Sequence, residues 1–130
     1  MSPARRGALF RALAPIALMG LIFWSSAQSG GGDIPEWGHV LVHFLEYAAL
    51  SALWIWALGP VIGSRAWPVA AAIALAFAVS DEIHQSFVPG RVSDPVDVIV
   101  DSAGIWAALF FAAYARGNAS TRRTQSHKSG

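Results

Sequence analysis

Residues 80–101, SDEIHQSFVPGRVSDPVDVIVD, form a polar segment between two long apolar runs, residues 66–79 before it and residues 98–115 across its end. The segment holds five of the eight acidic residues of the chain, one of its four histidines and one arginine. A charged side chain within an apolar run of bilayer length costs about 2.5–3.5 kcal/mol on insertion, and such residues are usually functional. We therefore expect the activity of the chain to reside in this segment.

The composition of the chain is typical of a membrane protein. Of its 130 residues 55% are hydrophobic and 13% are charged, whereas a soluble domain has about 25% charged residues. Four of the six tryptophans lie at or near the ends of apolar runs, as in an aromatic belt at the headgroup level; they are Trp24, Trp37, Trp54 and Trp67. The absence of cysteine excludes a disulfide framework, thiolate chemistry and a cysteine metal site.

Four segments are long and apolar enough to cross a bilayer, which takes about 20 residues. They cover residues 8–27, 40–62, 66–88 and 95–114, and Pro68 and Pro95 lie near helix starts, where proline is tolerated. The sequence thus predicts an all-α fold, a four-helix transmembrane bundle within residues 1–115. Residues 116–130 are polar and basic and are predicted to be a disordered cytoplasmic tail.

The distribution of charge predicts the orientation of this bundle. With the N-terminus inside, eight of the nine basic residues fall on the cytoplasmic side, as the positive-inside rule requires; they are Arg5, Arg6, Arg11, Arg65, Arg116, Arg122, Arg123 and Lys128. All acidic residues, including Asp33 and Glu36, fall in outer loops or outer halves of spans. We expect a multi-pass protein of the plasma (inner) membrane with both termini in the cytoplasm. The first segment also resembles a cleavable signal peptide, which would leave the other spans oriented as before.

Helical spacing places polar side chains of three spans on shared faces near the outer surface. His39, His43 and Glu46 share one face, whereas Glu82 points about 100° away from Asp81 on the next span. Because lipid cannot satisfy polar groups, we expect these faces to point inward. The predicted polar pocket consists of His43, Glu46, Tyr47, Asp81, Glu82, His84, Gln85, Arg91, Asp97 and Asp101.

Two local patterns predict how this pocket is held. Pro89-Gly90 is a strong turn signal, and the turn could fold Arg91 back over the carboxylates or raise it toward a ligand. Asp94 and Asp97 flank Pro95, where either could cap the fourth helix. Gly104 and Ala108 form a small-xxx-small pattern that lets a neighbouring helix approach closely.

Three blocks of this sequence resemble the VanZ-like family of small membrane proteins, and the similarity covers residues 23–108, including the Ser25-Ser26 pair. The blocks are HFLEYAAL from His43, DEIHQSFVPGR from Asp81 and DVIVDSAG from Asp97. The chain departs from the family at Val40, where a lysine is common, and at Ala108, where a glycine is common. The family is named for an accessory protein of teicoplanin resistance, and the resemblance implies an integral membrane protein of the cell envelope without a settled reaction.

Three classes of function are compatible with these residues. An enzyme could act on an envelope lipid or lipid-linked precursor, with His43 as base, Asp81 or Glu82 as its partner and Arg91 as a phosphate clamp. A binding protein could recognise a lipid headgroup, a precursor or a glycopeptide-type antibiotic, with a role in antibiotic tolerance. A structural or assembly factor would use the polar cluster merely to tie helices together. No cofactor is evident, although the His39/His43/Glu46 spacing permits a divalent metal. We expect the protein to contact a lipid bilayer and no nucleic acid. The sequence does not predict an oligomeric state.

Overall fold

A computed structural model describes residues 1–28 and 35–128 of the chain, with side chains described as far as residue 119. Asp33, which the charge pattern placed on the outer side, lies outside the described residues. The described part is all-helical and consists of α1 (Pro3–Ser26), α2 (Glu36–Ile62), a 3₁₀ turn (Gly63–Arg65), α3 (Ala66–Gln85) and α4 (Pro95–Lys128).

The helix boundaries follow from residues that satisfy or interrupt the backbone hydrogen bonds. The Ser2 hydroxyl caps α1 by accepting a hydrogen bond from the Arg5 N–H. Helix α2 ends at Ile62, and the next residue, Gly63, has a φ of +57°, which is strained for other residues. Asp94 caps α4, because its Oδ1 lies 2.9 Å from the Val96 N–H. Of the two predicted caps, Asp94 therefore has this role.

Three helical stretches are long and apolar enough to cross a membrane, so the predicted count of four spans needs correction. The stretches are Pro3–Ser26, Glu36–Gln85 and Pro95–Ala119. The second one contains two predicted spans, because α2, the 3₁₀ turn and α3 follow one another without a gap. A chain reversal nevertheless occurs at this turn, since Tyr47 of α2 and Phe77 of α3 lie side by side with ring centroids 6.2 Å apart.

Two further boundaries differ from the sequence-based prediction. The third span was predicted to reach Val88, but α3 ends at Gln85 and two turn hydrogen bonds follow, from Phe87 N to His84 O and from Val88 N to Gln85 O. At the other boundary, α4 continues to Lys128, where a disordered tail was predicted from residue 116. Adding residues to an existing helix is much easier than nucleating one, which explains this extension.

Helix α2 is the centre of the arrangement and contacts α1, α3 and α4, whereas α1 and α4 do not contact each other in the described residues. The C-terminal ends of α1 and α3 and the N-terminal ends of α2 and α4 meet at one end of the bundle, called the polar end below. Large apolar side chains point outward along the helices, among them Phe10, Ile99 and Phe110 at 75%, 68% and 68% exposure. Such exposure is expected of helices surrounded by lipid.

Small residues bring the central helices close together. Ala66, Ala70, Ala74 and Ala78 form a buried stripe along α3, and the last two pack in a core with Tyr47 and Leu50 of α2. At Gly104 of α4 an added Cβ atom would collide with the carbonyl oxygen of Phe44 on α2. The small-xxx-small pattern thus marks a place where two main chains touch.

Candidate functional site

A chain of buried hydrogen bonds joins α1, α3 and the loop after α3 at the polar end. The Ser26 hydroxyl donates to Oδ1 of Asp81 at 2.7 Å, and the Gln85 side-chain amide donates to Oδ2 of Asp81 at 2.9 Å. The Arg91 guanidinium donates to Oε1 of Gln85 at 3.0 Å. Asp81 and Gln85 are each only 2% exposed, so these bonds satisfy polar groups that water does not reach.

The turn after α3 returns Arg91 toward the helices. The Arg91 N–H donates to the Val88 carbonyl at 3.1 Å, and Gly90 between them has a φ of +82°. This is the turn expected for Pro-Gly, because proline fixes φ at the first central position and glycine accepts positive φ at the second. The guanidinium folds back onto the amide of Gln85, not over a carboxylate, and also lines the space beside it.

A second buried pair joins α2 to α4. Nδ1 of His43 lies 3.0 Å from Oδ1 of Asp101, with the two side chains 12% and 4% exposed. The sequence suggested Asp81 or Glu82 as the carboxylate partner of His43, and the structure places Asp101 there instead. Since a carboxylate at Nδ1 fixes the ring orientation, Nε2 is the ring nitrogen left to face a ligand.

Two cavities open beside these networks, and His39, His43 and Arg91 line both. The first has a volume of about 160 Å³; its other lining residues are Ile22, Ser25, Ser26, Val42, Glu46 and Asp81. The second has a volume of about 220 Å³; its other lining residues are Gln85, Gly90, Val92 and Asp97. The cavities therefore flank one set of basic and imidazole groups at the polar end.

The charge of Arg91 is not neutralised by an ion pair within the described residues. Among the described residues, the guanidinium of Arg91 has one hydrogen-bond partner, the uncharged amide of Gln85. No carboxylate oxygen in that part of the chain lies within 4 Å of this guanidinium. Guanidinium groups carry five N–H donors in a planar fork that suits phosphate and carboxylate ligands. Arg91 could therefore bind an anion in a cavity, although Glu46 and Asp81 also line the first cavity and Asp97 the second.

Comparison with known proteins assigns the chain to a family. The family model described as VanZ/LLP1 matches residues 11–116. The chain belongs to the VanZ/LLP1 family. The resemblance that the three sequence blocks indicated is thereby confirmed, and the match contains every residue of the two hydrogen-bonded networks and both cavities. Comparison with curated proteins and with solved structures gave no match.

Seven of the ten residues of the pocket predicted for this VanZ/LLP1 chain take part in the networks or line a cavity, His84 lies beside the first network, and two residues have other surroundings. Tyr47 is fully buried in the core, and its hydroxyl has no hydrogen-bond partner in the described part of the chain. Glu82 lines neither cavity, as its direction about 100° from Asp81 implies. His84 stacks on Phe23 with ring centroids 3.9 Å apart, and its Nδ1 lies 3.5 Å from the Ser26 hydroxyl and 4.0 Å from Oδ1 of Asp81.

Two residues of the site were not in the predicted pocket. Ser26 contributes the hydroxyl that holds Asp81, and its signal in the sequence was the Ser25-Ser26 pair shared with the family. His39 lines both cavities, and its signal was the four-residue spacing to His43.

Within the described residues, no group of three or more His, Asp or Glu side chains has an arrangement suited to a metal ion. His39, His43 and Glu46 do line the first cavity together. A divalent metal at this cluster stays a prediction.

Proposed function

We propose that this VanZ/LLP1-family protein binds the phosphate-bearing headgroup of an envelope lipid or lipid-linked precursor in the two cavities at its polar end. Arg91 is the observation that carries the proposal. It lines both cavities, its charge has no carboxylate partner in the described part of the chain, and a tight turn and Gln85 hold it in place. Arginine binds phosphate oxygens through charge-assisted hydrogen bonds, often two at once.

The membrane arrangement that accompanies this proposal has α1, α2, α3 and α4 each crossing the bilayer, with the polar end outside. Two observations support it. The Tyr47–Phe77 contact shows that α3 returns alongside α2, and α3 with 20 residues is about 30 Å long, enough for the hydrocarbon core. Arg5, Arg6 and Arg65 lie at the opposite end, as expected for the cytoplasmic side. The plasma membrane is the location that we propose.

Chemical modification of the same headgroup is the second candidate function, and the His43–Asp101 pair favours it. A histidine whose Nδ1 is held by a buried carboxylate presents Nε2 as a proton acceptor to a group in the cavity. Arg91 would stabilise negative charge on the phosphate in the same space. In this candidate His43 is the general base and Asp101 orients it.

A structural role is the alternative to both candidates. The Ser26–Asp81 and His43–Asp101 bonds connect α1 to α3 and α2 to α4, and interhelical hydrogen bonds of this kind stabilise membrane proteins by about 0.6 kcal/mol each. In that case the cavities would hold water and no specific ligand. A role in antibiotic tolerance stays a prediction from the family and is separate from this choice.

Binding to a short-chain lipid tests the proposal. The purified full chain in detergent is titrated with dioctanoyl phosphatidylglycerol, with dioctanoylglycerol, which lacks the phosphate, and with inorganic phosphate. We expect the protein to bind the phospholipid more tightly than dioctanoylglycerol or inorganic phosphate. In Arg91→Ala the affinity for the phospholipid should fall by about tenfold or more, because a charge-assisted contact is removed. Arg65→Ala removes the same charge at the opposite, exposed end and should change the affinity less than about twofold.

The outcomes separate the candidates. Equal affinity for the two dioctanoyl lipids, or unchanged affinity in Arg91→Ala, would overturn headgroup binding and leave the structural role. Stronger binding of inorganic phosphate than of the phospholipid would show a site for a soluble anion. Mass spectrometry of the incubated phospholipid distinguishes modification, since a product that disappears in His43→Ala requires chemistry as well as binding.

A further inference from the structure

The side chain that holds Arg91 is an amide, although a carboxylate lies one helical turn away. Asp81 and Gln85 occupy positions i and i+4 of α3, and both are 98% buried. Asp81 accepts hydrogen bonds from Ser26 and Gln85. The only described partner of the Arg91 guanidinium is Oε1 of Gln85. The amide therefore separates the negative charge from the positive one.

The orientation of the Gln85 amide follows from its two partners. A carboxylate can only accept hydrogen bonds and a guanidinium can only donate them, whereas an amide donates through its NH₂ group and accepts through its oxygen. With the NH₂ group on Asp81 and the oxygen on Arg91, both bonds are made at once. Ser26 donates to the other oxygen of Asp81, so hydrogen-bond donation converges on this carboxylate from Ser26 on one side and from Arg91, through Gln85, on the other.

A glutamate at position 85 would have nearly the same shape but the opposite effect. It could not donate to Asp81, and it would pair with the Arg91 guanidinium in the strong, often bidentate geometry of carboxylate and arginine. The positive charge would then be neutralised by the protein itself. Uncharged side chains such as methionine would leave the charge in place but remove its anchor.

We propose that Gln85 is a positioning residue that holds Arg91 toward the cavities without neutralising it, and thereby sets the affinity of the site for a phosphate-bearing anion. This inference rests on the proposed function. It adds that affinity depends on a residue that touches the arginine and lines just one of the two cavities.

The decisive variant exchanges the amide and the carboxylate. Asp81→Asn combined with Gln85→Glu keeps the net charge and the number of carboxylates, but places the carboxylate beside Arg91. We expect this exchange to lower the affinity for dioctanoyl phosphatidylglycerol by about tenfold or more, and to weaken its dependence on salt concentration because the charge of Arg91 is then neutralised by the adjacent carboxylate. Native affinity in the folded exchange variant would overturn the inference.

Two further variants separate positioning from folding. Gln85→Met, which adds no charge, should lower the affinity by about threefold to fivefold and keep the native salt dependence; unchanged affinity would overturn the anchoring role. Ser86→Glu adds a carboxylate at the neighbouring exposed position and should change the affinity by less than about twofold. A loss in Ser86→Glu as large as in the exchange variant would also overturn the inference, since general repulsion would then explain both.

These results are independent of those for the proposed function. If Arg91→Ala lowers the affinity and the exchange variant does not, headgroup binding stands and the role of Gln85 falls. If Arg91→Ala has no effect, headgroup binding through Arg91 falls first. Thermal unfolding of each variant in the same detergent shows that the compared proteins are folded.

Discussion

The Ser26 hydroxyl of α1 lies 2.7 Å from Oδ1 of Asp81 on α3, and it joins two helices that otherwise contact each other little. Both helices end within a few residues of this bond. The contact therefore determines how the end of α1 is placed against the polar end. It also occupies one of the two oxygens of the carboxylate that orients Gln85.

Replacement of Ser26 by alanine should destabilise the protein by about 1 kcal/mol, the usual net contribution of one hydrogen bond. Asp81 would keep the hydrogen bond from Gln85, and Nδ1 of His84 lies 4.0 Å from its Oδ1. The measurement is thermal or denaturant unfolding in detergent. Ser25→Ala is the matched control, since its hydroxyl bonds only the carbonyl of Ile22 in its own helix; an equal loss in both variants would contradict the special role of Ser26.

The His43–Asp101 pair should show strong energetic coupling. Truncation of one partner leaves the other buried and unpaired, which costs about 3–5 kcal/mol for a buried ion pair. In a double-mutant cycle of His43→Ala and Asp101→Ala, we expect a coupling free energy above the average of about 0.6 kcal/mol for interhelical hydrogen bonds in membranes. The coupling free energy is obtained from the free energies of unfolding of the native protein, the two single variants and the double variant.

Asp97 supplies the control for that cycle. It lies on the same helix one turn before Asp101 and is not hydrogen-bonded to His43 in the structure. The cycle of His43→Ala and Asp97→Ala should give a clearly smaller coupling, because only charge attraction without a hydrogen bond acts between these two side chains. Comparable coupling in the two cycles would mean that charge in general, and not the observed pair, stabilises the bundle.

Gly104→Ala should destabilise the bundle by about 1–3 kcal/mol, the range found when atoms are added to a well-packed interface. The reason is the collision of the new Cβ atom with the main chain of Phe44, which cannot move aside as a side chain could. Unfolding in detergent measures the effect. Gly20→Ala, within α1 and with no atom in the way, should instead be neutral or stabilising by up to about 1 kcal/mol.

The proposed membrane arrangement predicts opposite accessibility of two loops. The chain contains no cysteine, so Val92→Cys and Ser64→Cys each introduce a single reactive thiol at an exposed position. With α3 crossing the membrane, a membrane-impermeant maleimide should label position 92 in intact cells and position 64 only after permeabilisation. Labelling of both positions from the same side would show that α3 does not cross.

The sequence was sufficient to predict the helices but not the number of separate helical stretches. Apolar runs of bilayer length and the helix-starting Pro95 indicated where helices lie, and each of the four predicted spans begins or ends within a residue of an observed boundary. The break between the second and third spans was predicted at residues 63–65, where the 3₁₀ turn lies, but the apolar pattern did not show that α2, this turn and α3 follow one another without a gap. The end of α3 was misplaced for a related reason, since apolar Phe87 and Val88 lie in a turn.

The candidate site was predictable where it depended on spacing along one helix and unpredictable where it depended on contacts between helices. The faces of His43 with Glu46 and of Asp81 with Gln85 follow from helical geometry. The pairing of His43 with Asp101, 58 residues away, depends on how α2 packs against α4. The role of Ser26 was equally hidden, because a serine at a helix end usually bonds its own backbone.

Because Gly104 contacts the main chain of Phe44, the walls of the two cavities differ in how easily they can move apart. The second cavity lies between α2, α4 and the loop residues 90–92, and α2 and α4 cannot approach or part easily because their main chains touch at Gly104. The first cavity is bounded by α1, which shares no described contact with α4 and is held at this end by the Ser26 bond. If a bulky headgroup binds as proposed, we expect α1 to move to make room for it. The α2–α4 side would stay in place and determine the orientation of the headgroup.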